Sequence, residues 1–429
     1  MKLTTRIAVC LTLAGLFVAD AQDPTSRRVT VRKGEVRRGS YPATIRAIET
    51  PGLFTSATTD EDFIKAFIRV SEVGGTGVWF DLQGIVADGT ALDPGQVAGL
   101  RSVKSECIYR YIVPICRLFG PGAPEDAAYR MATVRTVAEV FKADHAMVYW
   151  IDGAKSDELV AEFKSIAPGL VVLSPRGGDI DLIYSAKEAR EGHASLLAGA
   201  IPEPITSALH CAMPASADVY DRFEEANTHP LEREPWTPET VGLSAGEKAD
   251  GFVSLFNGTS LDAWIIKGPN QKAYMIKDGA IEWVAPGGVA LRTRKRYADY
   301  VLRFEWKLFA KGANSGFHLR TPRENRASKM GFEFQMFGDP GIAPDIHSTG
   351  SIYDVLAPLV NASAPIGEWN TTELDLSGPR YKATLNGQVV QDLSFDDNPE
   401  LKFRLRRGFI ALSDHESRVA VRNIRIKEQ

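Results

Sequence analysis

A chain of 429 residues, 44% hydrophobic and 24% charged, carries enough apolar mass for more than one packed core, and two domains are expected. Its net charge of −4 offers no basic surface, which argues against nucleic acid and anionic membranes as partners. Beyond the N-terminus, no apolar run is long enough to span a membrane.

Lys2 and Arg6 precede an apolar run at 7–18, and Ala19-Asp20-Ala21 follows. This is the pattern of a secretory signal over 1–21, predicted to be cut after Ala21. The expected location is therefore secreted or periplasmic, with no membrane span after cleavage. Cys10 lies within the apolar run, away from the position of a lipidated cysteine. Cys107, Cys116 and Cys211 remain after cleavage. A strand predicted over 108–115 would hold the first two too far apart to bridge, so buried thiols are expected. No cysteine spacing suggests zinc.

Residues 22–41 form a polar, basic lead-in. From 42 to 198 short apolar segments alternate with helical ones. Strands are predicted at 43–48, 77–82, 108–113, 146–151, 170–173 and 180–183. Helices are predicted after Asp60, after Asp93-Pro94 (an N-cap with a first-turn proline), over 124–143 and from a cap at Ser156. The pattern indicates an α/β domain with a mostly parallel sheet, either open or a truncated barrel. Ligands of such sheets sit beyond the strands' carboxyl ends, where Asp81, Asp152 and 176–179 stand. These residues serve equally as helix caps and turns. No phosphate loop, nucleophile elbow or metal motif accompanies them.

Residues 199–246 are rich in proline and polar groups and read as a linker. From 247 to 429 strands recur between Asn257-Gly258, Asp278-Gly279, Gly287-Gly288 and Asn386-Gly387, signals of β-hairpins. An all-β jelly-roll sandwich is expected. Trp264, Trp283 and Trp306 read as core residues. Trp369, in a loop-like GEWN setting with Asn370, reads as a sugar platform.

The stretch 314–339 carries the candidate chemistry. In 317–320 and 332–336 polar and apolar residues alternate, so His318 and Arg320 share one strand face, and Glu333 and Gln335 share another. Paired strands would gather a cation, an imidazole, a carboxylate and an amide on one polar sheet face. Such a face suits a polyhydroxylated ligand or is simply a solvated surface.

The order of short motifs around this stretch is GFVSLFNG (251–258) with LDAW (261–264), then TGSIY (349–353), GEWN (367–370), LNG (385–387), Asp414-His415 and RNI (422–424). This order resembles the 3-keto-disaccharide hydrolase family, a concanavalin A-like jelly-roll domain, over about 243–429. The N-terminal half lies outside the resemblance. The resemblance implies a carbohydrate substrate and cleavage of 3-keto-glycosides. A ketone at C3 acidifies the C2 proton, so one base can remove it while the C1 substituent leaves, and water adds afterwards. Glu333 is the expected base, best served by a raised pKa, with His415 or His347 as proton donor. Arg320, Gln335, His318, Tyr353, Trp369 and Asn370 are expected to bind substrate. No cofactor is expected. His347 with Asp339 and Asp345 is too loosely spaced to indicate a metal. A non-catalytic carbohydrate-binding module is the alternative. Ordinary β-glucan hydrolysis is a third reading, disfavoured because Gln335 stands where a second inward carboxylate would be expected. Ser413 and Glu416 in LSDHE, and Asp354 after Tyr353, depart from the family pattern, the latter two replacing expected glycines.

Overall fold

The computed structural model describes residues 28–33, 35–38, 41–50, 60–183, 194–198, 209–213, 217–268, 270–284, 290–413 and 415–429. The predicted leader and its cleavage point lie outside them. Part of the lead-in is structured. β1 (Val29–Arg32), β2 (Glu35–Arg38) and β3 (Tyr41–Pro42) form an antiparallel ribbon. Val29 and Val36 of this ribbon join the apolar cluster that fills the following barrel.

The chain then runs through β4 (Arg46–Glu49), α1 (Asp60–Glu72), β5 (Gly77–Asp81), α2 (Pro94–Arg110), β6 (Val113–Arg117) and α3 (Ala127–Phe141). It continues through β7 (Val148–Trp150), α4 (Ser156–Ile166), β8 (Val171–Ser174), β9 (Ile180–Ile183), β10 (Ala194–Ala198), β11 (Leu209–Met213) and α5 (Ala217–Asn227). The eight strands β4–β11 pair in parallel and close into a barrel through β10–β11 and β11–β4. Alternation sorts their side chains. Ala47, Trp79, Ile115, Val148, Trp150 and Leu173 fill the interior, while Ile48, Val78, Cys116, Tyr149 and Val172 pack outward among the helices.

Two readings of this half need correction. The strand predicted at 108–113 belongs to α2 up to Arg110. Tyr111 then ends the helix in the left-handed conformation (φ 62°), and the strand starts at Val113. Cys107 therefore lies on a helix and Cys116 on a strand, both as free buried thiols. The predicted linker also begins too early. β11 and α5 fall within 199–246, yet β11 closes the barrel and Phe223 of α5 is buried in its outer core. LHCAM carries no clear polar–apolar alternation, which left it indistinct among prolines.

Two short helices follow, α6 (Pro230–Arg233) and α7 (Ala245–Ala249). The second domain comprises β12 (Val253–Ser254), β13 (Trp264–Lys267), β14 (Tyr274–Lys277), β15 (Ala280–Trp283), β16 (Ala290–Thr293), β17 (Tyr300–Leu308), β18 (Asn314–Thr321), α8 (Ala327–Met330) and β19 (Phe332–Phe337). It ends with β20 (Asn370–Ser377), β21 (Arg380–Leu385), β22 (Gln388–Ser394), β23 (Phe409–Ser413) and β24 (Val419–Glu428). One antiparallel sheet runs β14-β15-β24-β17-β20-β21-β22, with β12 also on β24. The other runs β13-β16-β23-β18-β19. Asp278-Gly279 and Asn386-Gly387 form the β14–β15 and β21–β22 turns, with φ of 50° and 71°, and of 49° and 80°. Two successive positive values are what a two-residue hairpin turn requires. The sheets enclose one core that includes Trp264, Trp306, Phe304, Phe317, Phe334 and Leu412.

The barrel and the sandwich meet directly. Asn325 donates to Ser71 Oγ and to the Gly75 carbonyl at 2.8 Å each, and the Arg326 N–H donates to the Arg110 carbonyl at 3.1 Å. Lys402 pairs with Glu61 at 3.4 Å, and Arg296 pairs with Glu224. Among the described residues, no helix is long and apolar enough to cross a membrane.

Candidate active site

In the five-stranded sheet, Phe317, Leu319, Phe332, Phe334 and Met336 point into the core, as their alternation predicts. The residues between them face outward. The register sets His318 opposite Glu333 and Gly316 opposite Gln335. It also aligns His318 with Ala411, and Ala411 with Arg292. Arg292, Ala411, His318 and Glu333 therefore form one row across four strands.

Glu333 is the centre of this face and is only 3% exposed. Its Oε2 lies 3.2 Å from His318 Nε2, and its Oε1 lies 3.9 Å from His415 Nε2. Ser413 Oγ stands 3.4 Å from the same Oε1. Gly316 makes room for the carboxylate, since a Cβ there would fall 3.0 Å from Glu333 Cγ and Cδ. Burial by itself pushes the carboxyl up. The charges and hydrogen bonds of His318, and then of His415, outweigh it and hold the group below the usual carboxylate range. The expected raised pKa is thus not found. Glu333 is a firmly ionised carboxylate between two imidazoles.

Gln335 is buried beside it. Its Nε2 donates to the His347 carbonyl at 3.3 Å, and its backbone bonds with Gly350 and Ser351. The Tyr353 N–H donates to the Glu333 carbonyl at 3.0 Å, so the 345–354 loop hangs along β19. On that loop the His347 and Tyr353 rings lie 5.2 Å apart, and His347 Nε2 is 3.4 Å from Asp354. Asp354 also receives the Lys329 ammonium at 2.5 Å. Asp339 accepts from Thr349 Oγ1 at 2.7 Å, and Asp345 accepts from the His347 N–H at 2.7 Å, so both carboxylates are engaged in turns. Asp354 and Glu416 have φ of 59° and 55°, the left-handed backbone that makes glycine the expected residue at each.

Three predicted substrate residues stand elsewhere. Arg320 lies within a bulge between His318 and Thr321 and has φ 49°, which turns it off the His318 face. Its guanidinium donates to the Ala298 and Gly378 carbonyls at 2.9 and 2.8 Å and to Asp299 at 3.0 Å. Trp369 lies against the other sheet, between Lys307 at 4.7 Å and Arg422 at 3.9 Å from its ring. Asn370 is buried at the start of β20, and its Oδ1 accepts from the Ala364 N–H at 2.7 Å and from Asn386 at 2.9 Å. It holds a loop and does not reach the Glu333 face.

The cation of the row is Arg292, which the sequence reading missed. It pairs at 2.7 Å with Glu232 of α6, and its guanidinium lies 4.1 Å from the centre of the Phe409 ring. Arg323 pairs with the same carboxylate. The segment predicted as linker therefore walls one side of the sheet face, two strands or roughly 10 Å from His318.

Residues 251–427 match the family model described as a 3-keto-alpha-glucoside-1,2-lyase-like domain. A 3-keto-disaccharide hydrolase of Bacteroides thetaiotaomicron is 25% identical over 244 residues, covering 44% of this chain and 82% of the relative. A solved structure of a proposed glycosyl hydrolase from Parabacteroides distasonis has 25% identity and a TM-score of 0.39, over 44% of this chain and 98% of its own. A carbohydrate-binding module from Bacillus subtilis has 10% identity and a TM-score of 0.30, over 39% and 96%. The family model and the Bacteroides relative agree with the motif order read from the sequence. Residues 251–427 are thus similar to that family, and the barrel lies outside the match.

Proposed function

We propose that the sandwich cleaves 3-keto-glycosides by removing the C2 proton, expelling the C1 substituent and then adding water, in a protein exported from the cytoplasm. The observation that carries this reading is the buried Glu333 carboxylate held between two imidazoles. A carboxylate kept ionised by two histidines is a poor proton acceptor and a good partner for an imidazolium. His318 donates Nε2–H to Glu333 and takes the C2 proton on Nδ1. His415, on the open side of the site, protonates the glycosidic oxygen as the C1–O bond breaks. The departing alcohol carries off the bonding pair and that proton. The sugar is left with a C1=C2 double bond conjugated to the C3 ketone. Water then adds hydroxyl to C1 and hydrogen to C2, so the net change is hydrolysis. The family description, a 1,2-lyase, and the relative's name, a hydrolase, correspond to the two halves of this sequence. Gln335 in the next outward position leaves no second carboxylate there for direct displacement.

The test is to incubate the protein with 3-keto and unoxidised disaccharides and follow release of the leaving sugar. Release from the keto form alone is expected. Release from both would favour ordinary hydrolysis, and binding without release would favour a binding module. Glu333→Gln should lower turnover by about two to four orders of magnitude. Turnover within about threefold of the parent would remove Glu333 from the mechanism. Export is tested by the mature N-terminus, expected at Gln22.

A further inference from the structure

Away from the Glu333 face, a cavity of about 330 Å³ lies between the two domains. Ile64 and Ile68 of α1 and Phe403 supply apolar wall, Arg110, Lys329 and Arg404 supply three cations, and Glu106 and Glu400 supply two carboxylates. All three cations are nearly sealed from solvent, at 5%, 0% and 3% exposure. Buried charge is costly unless it is matched. Arg110 has Glu106, and Lys329 has Asp354. Arg404 is the least compensated. Its Nε donates to the Glu400 carbonyl at 2.8 Å, and its Nη1 donates to the Ser328 and Gly331 carbonyls at 2.9 and 3.3 Å. The Glu400 carboxylate lies 3.9 Å from Nη2 and is 62% exposed at its side chain.

Nε of Arg110 makes no hydrogen bond, and the Arg404 guanidinium is met by the Tyr109 side chain. Burial draws the Arg404 guanidinium down to about 10 against the influence of Tyr109, and the positive charge of Arg110 adds to the fall. Tyr109 links the group, since the Lys329 ammonium sits 4.6 Å from the centre of its ring. Guanidinium donors converging on one cavity are the equipment for an oxyanion. The volume exceeds what a lone phosphate needs and falls at the small end of ligand pockets, roughly 300–1,000 Å³. Isoleucine and phenylalanine walls suit the C–H faces of a sugar ring.

We infer that this interdomain cavity binds an anionic, monosaccharide-sized ligand, a sugar phosphate or a sugar acid, through Arg110 and Arg404. Such a ligand spans both domains, with Arg110 on the barrel and Arg404 on the sandwich. The site does not depend on the chemistry proposed for Glu333.

The experiment is calorimetric titration of the full chain with glucose 6-phosphate, glucuronate, inorganic phosphate and glucose. One of the first two should bind with Kd in the range of about 10 μM to 1 mM, and glucose at least about tenfold more weakly. The preferred anion distinguishes the phosphate source from the carboxylate source. Arg404→Gln should weaken binding by about tenfold or more. Because Arg404 also holds backbone carbonyls, Ser105→Trp is the second variant. Ser105 is an exposed α2 residue on the cavity wall, and the larger ring should block entry while the chain still melts like the parent. The inference is overturned if none of the four compounds binds below about 10 mM. It is also overturned if inorganic phosphate binds as tightly as either sugar anion, if glucose matches them, or if Ser105→Trp leaves affinity unchanged.

Discussion

Gly316→Ala puts the smallest possible perturbation next to Glu333. Gly316 sits in extended strand backbone, so alanine meets no conformational penalty there, and the whole effect is steric. The added methyl would lie 3.0 Å from Glu333 Cγ and Cδ, against a comfortable separation of about 3.5–4.0 Å. The carboxylate must therefore retreat by roughly 0.5–1 Å, in a site where it is 3% exposed and held by His318. Overpacking of this kind costs about 1–3 kcal/mol of stability. A misplacement near 1 Å in a catalytic group costs about 100-fold in rate. Thermal melts and steady-state kinetics on a 3-keto-disaccharide should show a modest fall in Tm with a fall in kcat of about one to two orders of magnitude. Parent-like kcat in a folded Gly316→Ala protein would refute the argument that the carboxylate's position between the imidazoles matters.

Two further substitutions test where the structure departs from the sequence reading. Arg320→Met removes a buried guanidinium that serves two carbonyls and Asp299, and should cost about 2–4 kcal/mol in chemical denaturation while kcat stays within about threefold. Loss of turnover without loss of stability would return Arg320 to the substrate. Asp354→Asn leaves the sealed Lys329 ammonium without its anion, at a cost of about 1–3 kcal/mol once the exposure of Asp354 is allowed for. Burial raises the Asp354 carboxyl, but Lys329 and then His347 bring it below its ordinary value. Its contribution is therefore complete above the unfolded pKa of about 3.9 and is lost as pH falls through the folded value. The Tm gap between parent and Asp354→Asn should be full at pH 7 and should narrow below about pH 4. A gap independent of pH would refute the pairing.

What could be read from the sequence was local. Asp278-Gly279 and Asn386-Gly387 specify their turns by themselves, and alternation over 332–336 places Glu333 on the outward face. The same logic fails two residues past His318, because a bulge reverses the alternation at Arg320. That bulge is accommodated by Gly331 and by Gly408, which begin or precede other strands and press on the Arg320 backbone. No local pattern reports such a non-local fit. Trp369 fails for a related reason, since a loop composition does not say which sheet the loop borders. Arg292 joins the site only through the β16–β23–β18 register, and Glu232 only through the approach of the barrel. Barrel closure rests on Cys211, Ala212 and Met213 pairing with Arg46, Ala47 and Ile48, a contact between distant apolar segments with no periodicity of their own.

The two positions where glycine was expected bear on how the site is held. A non-glycine residue in left-handed backbone costs roughly 1–2 kcal/mol, and this chain accepts that at both Asp354 and Glu416. At Asp354 the carboxylate is the counter-ion of a fully buried lysine, and glycine could not supply it. Lys329 belongs to α8, the helix that precedes β19, and it also lines the interdomain cavity. The 345–354 loop is thus tied at two points, to β19 through the Tyr353 N–H on the Glu333 carbonyl and to α8 through Asp354. A shift of α8 must then be absorbed by the segment that carries His347 and Tyr353 or passed to the strand that carries Glu333. The contacts that seat the sandwich against the barrel and those that orient its candidate catalytic carboxylate are continuous through this one ion pair.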